Sequence, residues 1–179
     1  MAEGSEDDEL TRLVKSRVRD VPDYPQPGVV FKDITPLLAD GKAFNAVVDG
    51  LAALYGPVDK VVGIEARGFI LAAPVACRIG AGFVPVRKAG KLPSATYSES
   101  YSLEYGEATI EVHQDAFVDG ERVLLVDDVL ATGGTVAAAA KLVERSGAIV
   151  AGCSVLLELT ALGGRERLTD LDVHALLSY

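Results

Sequence analysis

Runs of mostly apolar residues, each followed by a polar turn and then a helix-like stretch, recur along the 179-residue chain. Three runs predict strands: a buried strand at residues 61–64, a strand buried on both faces at 123–126 and a further strand at 149–157. Helical patterns over residues 69–79 and 137–145 follow the first two runs, and a glycine comes soon after each pattern. This order of strands and helices favours right-handed crossovers. It predicts an α/β fold in which helices flank a twisted, mainly parallel sheet.

The N-terminal part predicts two amphipathic helices joined by a proline-rich connection. Apolar residues at helical spacing indicate one helix over about residues 7–21 and a second helix from Lys42 to Tyr55. The connection, residues 22–33, contains three prolines and cannot be helical. It nevertheless carries an apolar triplet at residues 29–31. An apolar loop is either packed against the protein or used for binding.

Residues 92–113 form a long, tyrosine-rich segment between two strand-like runs. Residues 109–113 alternate in polarity like one arm of a β-hairpin, but the remainder has too few aliphatic residues to bury itself. Long connections in compact domains usually serve a function or are disordered. Periodicity alone leaves a flexible hairpin flap and an ordinary surface hairpin equally open.

Composition and charge narrow the class of protein. The hydrophobic content of 49% supports a sizeable core, so a single domain over residues 1–179 is expected. A net charge of −9 argues against a nucleic-acid or anionic-membrane surface and favours small molecules as partners. The acidic N-terminus and the lack of a long apolar stretch predict a soluble, cytoplasmic protein with no membrane partner. Two cysteines and two histidines supply no zinc ligand set, so no metal held by protein ligands alone is expected.

Two adjacent carboxylates, Asp127 and Asp128, directly follow the apolar run at residues 123–126. After them comes a turn made of Ala131, Thr132, Gly133, Gly134 and Thr135, which opens the next helix. Unpartnered N–H groups and the positive end of the helix dipole suit a phosphate at such a junction. The glycines let the backbone close around the anion, and the threonines offer hydroxyl donors. We call residues 131–135 the phosphate turn.

Two carboxylates beside a phosphate conflict electrostatically unless the same ligand also carries neutral hydroxyl groups. Carboxylates only accept hydrogen bonds, so hydroxyls of the ligand would donate to Asp127 and Asp128. A phosphate a few ångströms from a vicinal diol indicates ribose 5-phosphate. The alternative is that the aspartates merely cap the helix, but a cap requires only one of them.

A group of cations is predicted at the same sheet edge. Arg67 follows the first strand-like run, and Arg87, Lys88 and Lys91 follow a further strand-like run at residues 83–86. Ligands of parallel sheets bind outside the carboxyl ends of the strands, where these side chains and the aspartates would converge. Pyrophosphate fits such cations, because arginine chelates phosphate oxygens and lysine adds point charge. A sugar with this leaving group would react at its anomeric carbon, with Mg²⁺ bridging pyrophosphate and ribose oxygens.

The residues from Val126 to Thr135 resemble the signature of the type I phosphoribosyltransferase family. Further motifs resemble the members of that family that use adenine, and the resemblance runs from about Val21 through Leu168. They read PDYP and GVVFKDI within residues 22–34, EARGF at 65–69, RKAGKLP at 87–93 and SLEYG at 102–106. Lys32 stands where an arginine is frequent in the family, a small departure because mainly backbone contacts are assigned to this position.

The resemblance implies transfer of the phosphoribosyl group from phosphoribosyl pyrophosphate to adenine, which forms AMP and pyrophosphate in purine salvage. It also implies the type I phosphoribosyltransferase fold with a flexible hairpin flap, Mg²⁺ bound mainly through the substrate, and a homodimer with Arg87 near the partner subunit's site. The phosphoribosyl pyrophosphate contacts that it implies are Arg67, Arg87, Lys88, Lys91, Asp127, Asp128, Ala131, Thr132, Gly133, Gly134 and Thr135.

Adenine contacts and catalytic roles are implied by the same resemblance. The adenine contacts are Val30, Phe31, Lys32 and Leu159. Phe31 would stack on the base, the backbone of Val30 and Lys32 would read its amino edge, and Leu159 would close the other face. The implied catalytic residues are Glu104, Arg67 and Tyr105. On the flap, Glu104 would exchange a proton near the imidazole nitrogens of the purine, and Tyr105 would help to seal the site against water.

Two other functions stay open. A phosphoribosyltransferase for hypoxanthine, guanine or xanthine would be expected to place a lysine after the central helix and its following strand, and residues 156–160 contain none. A non-catalytic protein that senses purines or phosphoribosyl pyrophosphate would be expected to carry a DNA-binding appendage or a basic face, and the sequence shows neither. If the charges at the sheet edge served only solubility, no ligand would shift the unfolding temperature.

Overall fold

The computed structural model describes residues 3–102 and 106–179. The chain divides into two compact units, Met1–Gly50 and Leu51–Tyr179. No helix within the two described ranges is long and apolar enough to cross a membrane.

The described part of the first unit contains helices and one antiparallel ribbon. Its elements are α1 (Glu3–Arg17), β1 (Arg19–Pro22), β2 (Val30–Asp33), α2 (Thr35–Ala39) and α3 (Gly41–Ala53), and the last residues of α3 belong to the second unit. The predicted helix from Lys42 is confirmed as α3.

The predicted helix over residues 7–21 is wrong at its ends, because α1 begins at Glu3 and stops at Arg17. Residues 19–22 instead form β1, which pairs with β2. Two ion pairs cross this ribbon: Arg19 Nη2 lies 2.5 Å from Asp33 Oδ2, and Lys32 Nζ lies 2.7 Å from Asp20 Oδ1. Pairing with a distant strand therefore decides the conformation of residues whose apolar spacing continues the helical pattern.

The second unit contains a sheet of seven strands within the residues that the structure describes. Its elements are β3 (Lys60–Ile64), α4 (Arg67–Ile79), β4 (Gly82–Lys88), β5 (Thr96–Ser102), β6 (Glu107–His113), β7 (Arg122–Leu130), α5 (Gly134–Arg145), β8 (Ile149–Glu158) and β9 (Val173–Ser178), with 3₁₀ turns at Thr160–Leu162 and Gly164–Arg167. The strand order is β5-β6-β4-β3-β7-β8-β9. Strands β3, β4, β7, β8 and β9 run parallel, whereas β5 and β6 are antiparallel additions at one edge. The predicted α/β fold with a mainly parallel sheet is confirmed.

The centre of the sheet supplies the core of the second unit. Val123, Leu124, Leu125 and Val126 of β7 are all buried, as the run of apolar residues predicts. Apolar side chains of α5 join the same cluster. The strand that leads into the phosphate turn is thus held firmly on both faces.

Strands β5 and β6 form a hairpin within the predicted flap segment, residues 92–113. Their pairing extends from Thr96 opposite His113 to Ser102 opposite Glu107. Ile110 and Val112 of β6 belong to the core cluster, and Tyr97 and Tyr101 of β5, where aliphatic residues are lacking, pack against it. Movement of this hairpin as a flap stays a prediction.

Strand β9 has no counterpart among the predicted strands. It pairs in parallel with β8 over the register from Cys153 opposite Val173 to Glu158 opposite Ser178. Its burial is irregular along the strand, so neither alternation nor a continuous apolar run marks it. Its position beside β8 is a tertiary feature.

Candidate active site

The carboxyl ends of four parallel strands carry the predicted site residues of the second unit. Arg67 begins α4 just after β3, Lys88 ends β4, Asp127 and Asp128 lie near the end of β7, and Leu159 follows β8. Because these strands are parallel, their carboxyl ends share one edge of the sheet. The structure therefore brings the predicted residues to a common edge.

Asp127 and Asp128 have different surroundings. Asp127 is partly exposed, and its Oδ1 accepts a hydrogen bond of 2.8 Å from the backbone N–H of Asp128. Asp128 is 5% exposed, and its Oδ2 lies 2.7 Å from Nε of Arg67. Despite this short ion pair, Oδ2 of Asp128 accepts no well-aligned hydrogen bond from the described residues. It is a buried acceptor that a ligand hydroxyl could use.

Burial changes the acidity of both aspartates. Burial first, and the negative charge of Asp128 second, raise the pKa of Asp127 well above its ordinary value. Burial also raises the pKa of Asp128, although the neighbouring Arg67 acts to lower it. Hydroxyl groups that donate to these oxygens would favour the ionised forms and offset the burial.

A glycine at the start of α4 allows the close contact between Arg67 and Asp128. A Cβ atom at Gly68 would lie 2.8 Å from Oδ1 of Asp127 and 3.0 Å from the carbonyl oxygen of Val126. Real side chains do not fit at such distances, so only glycine lets α4 approach β7 this closely. The preceding residue, Arg67, is thereby placed against Asp128.

The phosphate turn joins β7 to α5 and lines a small cavity together with Asp127. Helix α5 starts at Gly134, and Gly133 has a φ of 77°, in the left-handed region that favours glycine. No side chain caps the start of α5. The first N–H groups of the helix are therefore available to an anion, and the alternative in which an aspartate caps this helix is wrong.

The side chain of Glu65 is largely buried and contacts the cations at the end of β4 and just after it. Oε1 of Glu65 lies 2.6 Å from Nζ of Lys91, and its Oε2 lies 3.4 Å from Nε of Arg87 and accepts the backbone N–H of Lys88 at 2.9 Å. Burial acts to raise the pKa of Glu65, but the bonds from Lys91 and Lys88 and the charge of Arg87 outweigh it, so the pKa is lowered. The sequence reasoning missed this role of Glu65. Its only signal was a carboxylate beside Arg67 in a turn after a buried strand.

The sequence profile of the phosphoribosyl transferase domain matches residues 37–174. The chain belongs to the phosphoribosyltransferase family. Among similar relatives, the adenine phosphoribosyltransferase of Salinispora tropica is 64% identical over 172 residues, which cover 95% of this chain and 92% of that protein.

Solved structures of family members have the same fold. The crystal structure of adenine phosphoribosyltransferase from Thermoanaerobacter pseudethanolicus superposes with a TM-score of 0.91 at 51% identity, and the match covers 94% of this chain and 99% of that chain. The enzyme from Saccharomyces cerevisiae, complexed with D-2,5-dideoxy-2,5-imino-altritol 1,6-bisphosphate and adenine, has a TM-score of 0.90 at 35% identity, covering 95% of this chain and 99% of that chain. The resemblance to phosphoribosyltransferases that use adenine is confirmed.

The adenine contacts expected for this phosphoribosyltransferase fall in both units. Val30, Phe31 and Lys32 lie together on β2 of the first unit. Phe31 meets Tyr24 edge to face, with 5.2 Å between the ring centroids, and Val30 is 50% exposed. Leu159 belongs to the second unit, where its N–H donates to the carbonyl oxygen at the end of β7.

Two of the expected catalytic residues, Glu104 and Tyr105, lie outside the described residues. They follow β5, which ends at Ser102, and precede β6, which begins at Glu107. Their roles stay predictions from the family resemblance. The third, Arg67, is placed beside Asp128.

The sequence reasoning also missed a pair of residues behind the phosphate turn. Glu158, the last residue of β8, is buried and receives two hydrogen bonds from Arg165. A charged residue that ends an otherwise apolar run was the available signal. Its partner could not be recognised, because two arginines, Arg165 and Arg167, follow it at similar distances in the sequence.

Proposed function

We propose that this phosphoribosyltransferase transfers the 5-phosphoribosyl group from phosphoribosyl pyrophosphate to adenine and forms AMP and pyrophosphate in purine salvage. One observation carries the proposal: an uncapped helix start follows β7, whose end carries the carboxylates of Asp127 and Asp128, at the sheet edge that also holds Arg67. The chain is 64% identical to a protein named adenine phosphoribosyltransferase over nearly its whole length. The family profile covers the end of the first compact unit and nearly all of the second, which supports one functional domain.

The phosphoribosyl group binds along the end of β7. Its 5-phosphate accepts hydrogen bonds from the phosphate turn, and its ribose hydroxyls donate to Asp127 and Asp128. Nε of Arg67 lies 2.7 Å from Oδ2 of Asp128, next to the carboxylate that holds the ribose, and this position supports a contact with the pyrophosphate. In the complex, the guanidinium shares its charge between the carboxylate and the pyrophosphate.

Cations at the end of β4 complete the pyrophosphate site. Lys91 and Arg87 both lie within ion-pair distance of Glu65, which fixes their position at this end of the strand. Lys88 contributes its charge from the last position of the strand. Pyrophosphate carries more negative charge than one carboxylate, and it therefore competes with Glu65 for these cations.

The reaction replaces one bond at the anomeric carbon by another. The bond from this carbon to a pyrophosphate oxygen breaks, and pyrophosphate leaves with the electron pair. Adenine N9 supplies the pair for the new bond, and the base gives up one ring proton to Glu104. Positive charge develops on the sugar, beside the carboxylates of Asp127 and Asp128, which stabilise it. Tyr105 and the closed flap exclude water, which would otherwise attack the same carbon.

The adenine contacts are those that the family resemblance implies. The ring of Phe31 stacks on the base, and Leu159 closes its other face. The backbone of Val30 and Lys32 reads the amino edge of the base. Residues 156–160 supply no lysine for a 6-oxygen, which supports adenine over hypoxanthine or guanine.

The ligand set suits Mg²⁺ bound mainly through the substrate. In the two described ranges, no group of three His, Cys, Asp or Glu side chains could hold a metal ion. The nearby donors are carboxylate oxygens, which suit a hard cation that keeps most of its ligands from phosphates and water. When bound, Mg²⁺ would neutralise charge on the pyrophosphate leaving group. Asp127 and Asp128 hold the ribose hydroxyls beside it.

The remaining parts of the proposal concern assembly and location. The enzyme acts as a homodimer in the cytoplasm, with Arg87 near the partner subunit's site and with no nucleic-acid or membrane partner. The net charge of −9 supports the absence of a nucleic-acid partner. Sedimentation equilibrium of the full chain tests the assembly, and a monomer at micromolar concentration would contradict it.

A competition assay tests the reaction and the base together. The protein is supplied with phosphoribosyl pyrophosphate, Mg²⁺ and equimolar adenine and hypoxanthine, and the products are separated by chromatography. AMP is the expected product, and a preference for hypoxanthine would overturn the base assignment. Unfolding temperature is measured in parallel, and ligand at 100 times its Kd should add about 2.7 kcal/mol of stability. A thermal shift without product would favour a non-catalytic sensor, and no shift would mean that the charged edge serves only solubility.

A further inference from the structure

The segment that follows β8 is held by an ion pair on the buried Glu158. Glu158 is 7% exposed. Arg165 meets it with two hydrogen bonds, 3.0 Å from Nε to Oε1 and 2.6 Å from Nη2 to Oε2, and its Nη1 donates to the carbonyl oxygen of Val173 on β9. A bidentate ion pair fixes the orientation of the guanidinium as well as its distance from the carboxylate. Arg165 is therefore tied both to the end of β8 and to β9.

Hydrogen bonds with Tyr179 hold the backbone at Glu158 and Thr160. The N–H of Tyr179 donates to the carbonyl oxygen of Glu158 at 2.9 Å. The N–H and the hydroxyl of Thr160 both donate to the carbonyl oxygen of Tyr179, at 3.0 Å and 2.6 Å. The segment from Glu158 to Arg165 is thus anchored at both of its ends.

Between these anchors, the chain touches the phosphate turn backbone to backbone. Gly164, the residue before Arg165, is buried, and a side chain there would collide with the carbonyl oxygen of Ala131. In the reverse direction, a side chain at Gly133 would collide with the carbonyl oxygen of Gly164. Because backbone atoms pack directly against each other here, with no side chain between them, a displacement of Gly164 would also displace the phosphate turn.

The geometry assigns Arg165 the role of a positioning residue for the phosphate turn. By holding Gly164 in place, Arg165 sets where the N–H groups of the turn meet the 5-phosphate. This inference rests on the proposed function, which places the phosphate on that turn. Leu159 keeps its own bond to the carbonyl oxygen of Leu130, so the adenine face is less dependent on Arg165 than the phosphate site is.

The test replaces Arg165 by methionine, which keeps the length of the side chain and removes the guanidinium. Ribose 5-phosphate affinity is measured by calorimetry, and KM is measured separately for phosphoribosyl pyrophosphate and adenine. We expect the Kd for ribose 5-phosphate and the KM for phosphoribosyl pyrophosphate to rise about tenfold or more, since a shift of about 1 Å can cost up to 100-fold. The KM for adenine should change by less than about threefold. Arg165→Lys keeps the charge without the bidentate hydrogen bonds, so its Kd for ribose 5-phosphate and its KM for phosphoribosyl pyrophosphate should be intermediate.

Arg122→Met is the matched control. Arg122 begins β7 at the opposite edge of the sheet, where its Nε donates to the carbonyl oxygen of Pro57 at 3.2 Å. Its removal also takes away a guanidinium and one bond to a backbone carbonyl, but at the amino end of β7, away from the phosphate turn that follows the carboxyl end. We expect ribose 5-phosphate affinity to stay at the wild-type value.

A second variant keeps the test decisive if Arg165→Met fails to fold. Glu158→Gln with Arg165→Met removes both charges, so no unpaired carboxylate is buried, and the chain should fold. Wild-type affinity for ribose 5-phosphate in any folded variant without Arg165 would overturn the inference. An equal rise in the KM for phosphoribosyl pyrophosphate and the KM for adenine would also overturn it. So would a failure of the wild-type protein to bind ribose 5-phosphate. If the wild type binds ribose 5-phosphate but makes no AMP, and the variants lose that binding, the proposed function fails and the positioning role stands.

Discussion

Alanine at Gly133 would test how strictly the phosphate turn depends on a residue without a side chain. Gly133 has a φ of 77°, and Gly120, in the turn before β7, has a φ of 81°. Alanine in this left-handed conformation costs about 1–2 kcal/mol at either position. Only Gly133 adds a collision, because its new Cβ would overlap the carbonyl oxygen of Gly164, whereas nothing lies within 4 Å of a Cβ at Gly120.

The size of the difference between these two variants follows from the collision. Overpacking of a rigid contact costs about 1–3 kcal/mol. Gly120→Ala should therefore lose about 1–2 kcal/mol of unfolding free energy, and Gly133→Ala about 2–5 kcal/mol. For a chain of this size, each kcal/mol lowers Tm by about 2–4 °C. The expected decrease is about 2–8 °C for Gly120→Ala and about 4–20 °C for Gly133→Ala.

Calorimetric unfolding and steady-state kinetics would measure both consequences. Gly133→Ala should also raise the KM for phosphoribosyl pyrophosphate about tenfold or more, because the collision moves the groups that hold the 5-phosphate. Gly120→Ala should keep wild-type kinetics, since its turn lies at the opposite end of β7. Equal Tm values and equal kcat/KM values for the two variants would refute the reasoning about the contact with Gly164.

Two further predictions concern the carboxylates. Because burial and Asp128 raise the pKa of Asp127, its favourable contribution to stability is present below the ordinary aspartate pKa and is lost as pH rises through the raised value. Asp127→Asn should therefore raise the Tm of the ligand-free protein at pH 7 but not at pH 3, while it raises the KM for phosphoribosyl pyrophosphate; a lower Tm at pH 7 would contradict this. Glu104→Gln should slow single-turnover chemistry by about 10²- to 10⁴-fold and leave phosphoribosyl pyrophosphate affinity within about threefold. Single-turnover rates equal to those of the wild type would remove the proton role from Glu104.

Local patterns in the sequence were sufficient to predict many of the strands and helices. Consecutive apolar residues at 123–126 predicted a strand buried on both faces, and β7 confirms it. The glycine-rich turn before an alanine-rich stretch predicted the strand-to-helix junction, and α5 begins within that turn. Such features depend on neighbours in the chain, so periodicity and turn chemistry are enough to recognise them. Residues 19–22 and 173–178 escaped prediction, because partners far along the chain make them strands.

By itself, the sequence determined which chemical groups stand at the carboxyl ends of the strands, and the family resemblance implied what they bind. Only the tertiary structure decided how these groups are held. Glu65 gathers Lys91 and Arg87, and Arg165 pairs with Glu158 while the glycine before it supports the phosphate turn. These contacts depend on the register of neighbouring strands and on the absence of a side chain at one glycine. These contacts cannot be recognised from sequence periodicity, because they join segments that come together only when the sheet is assembled.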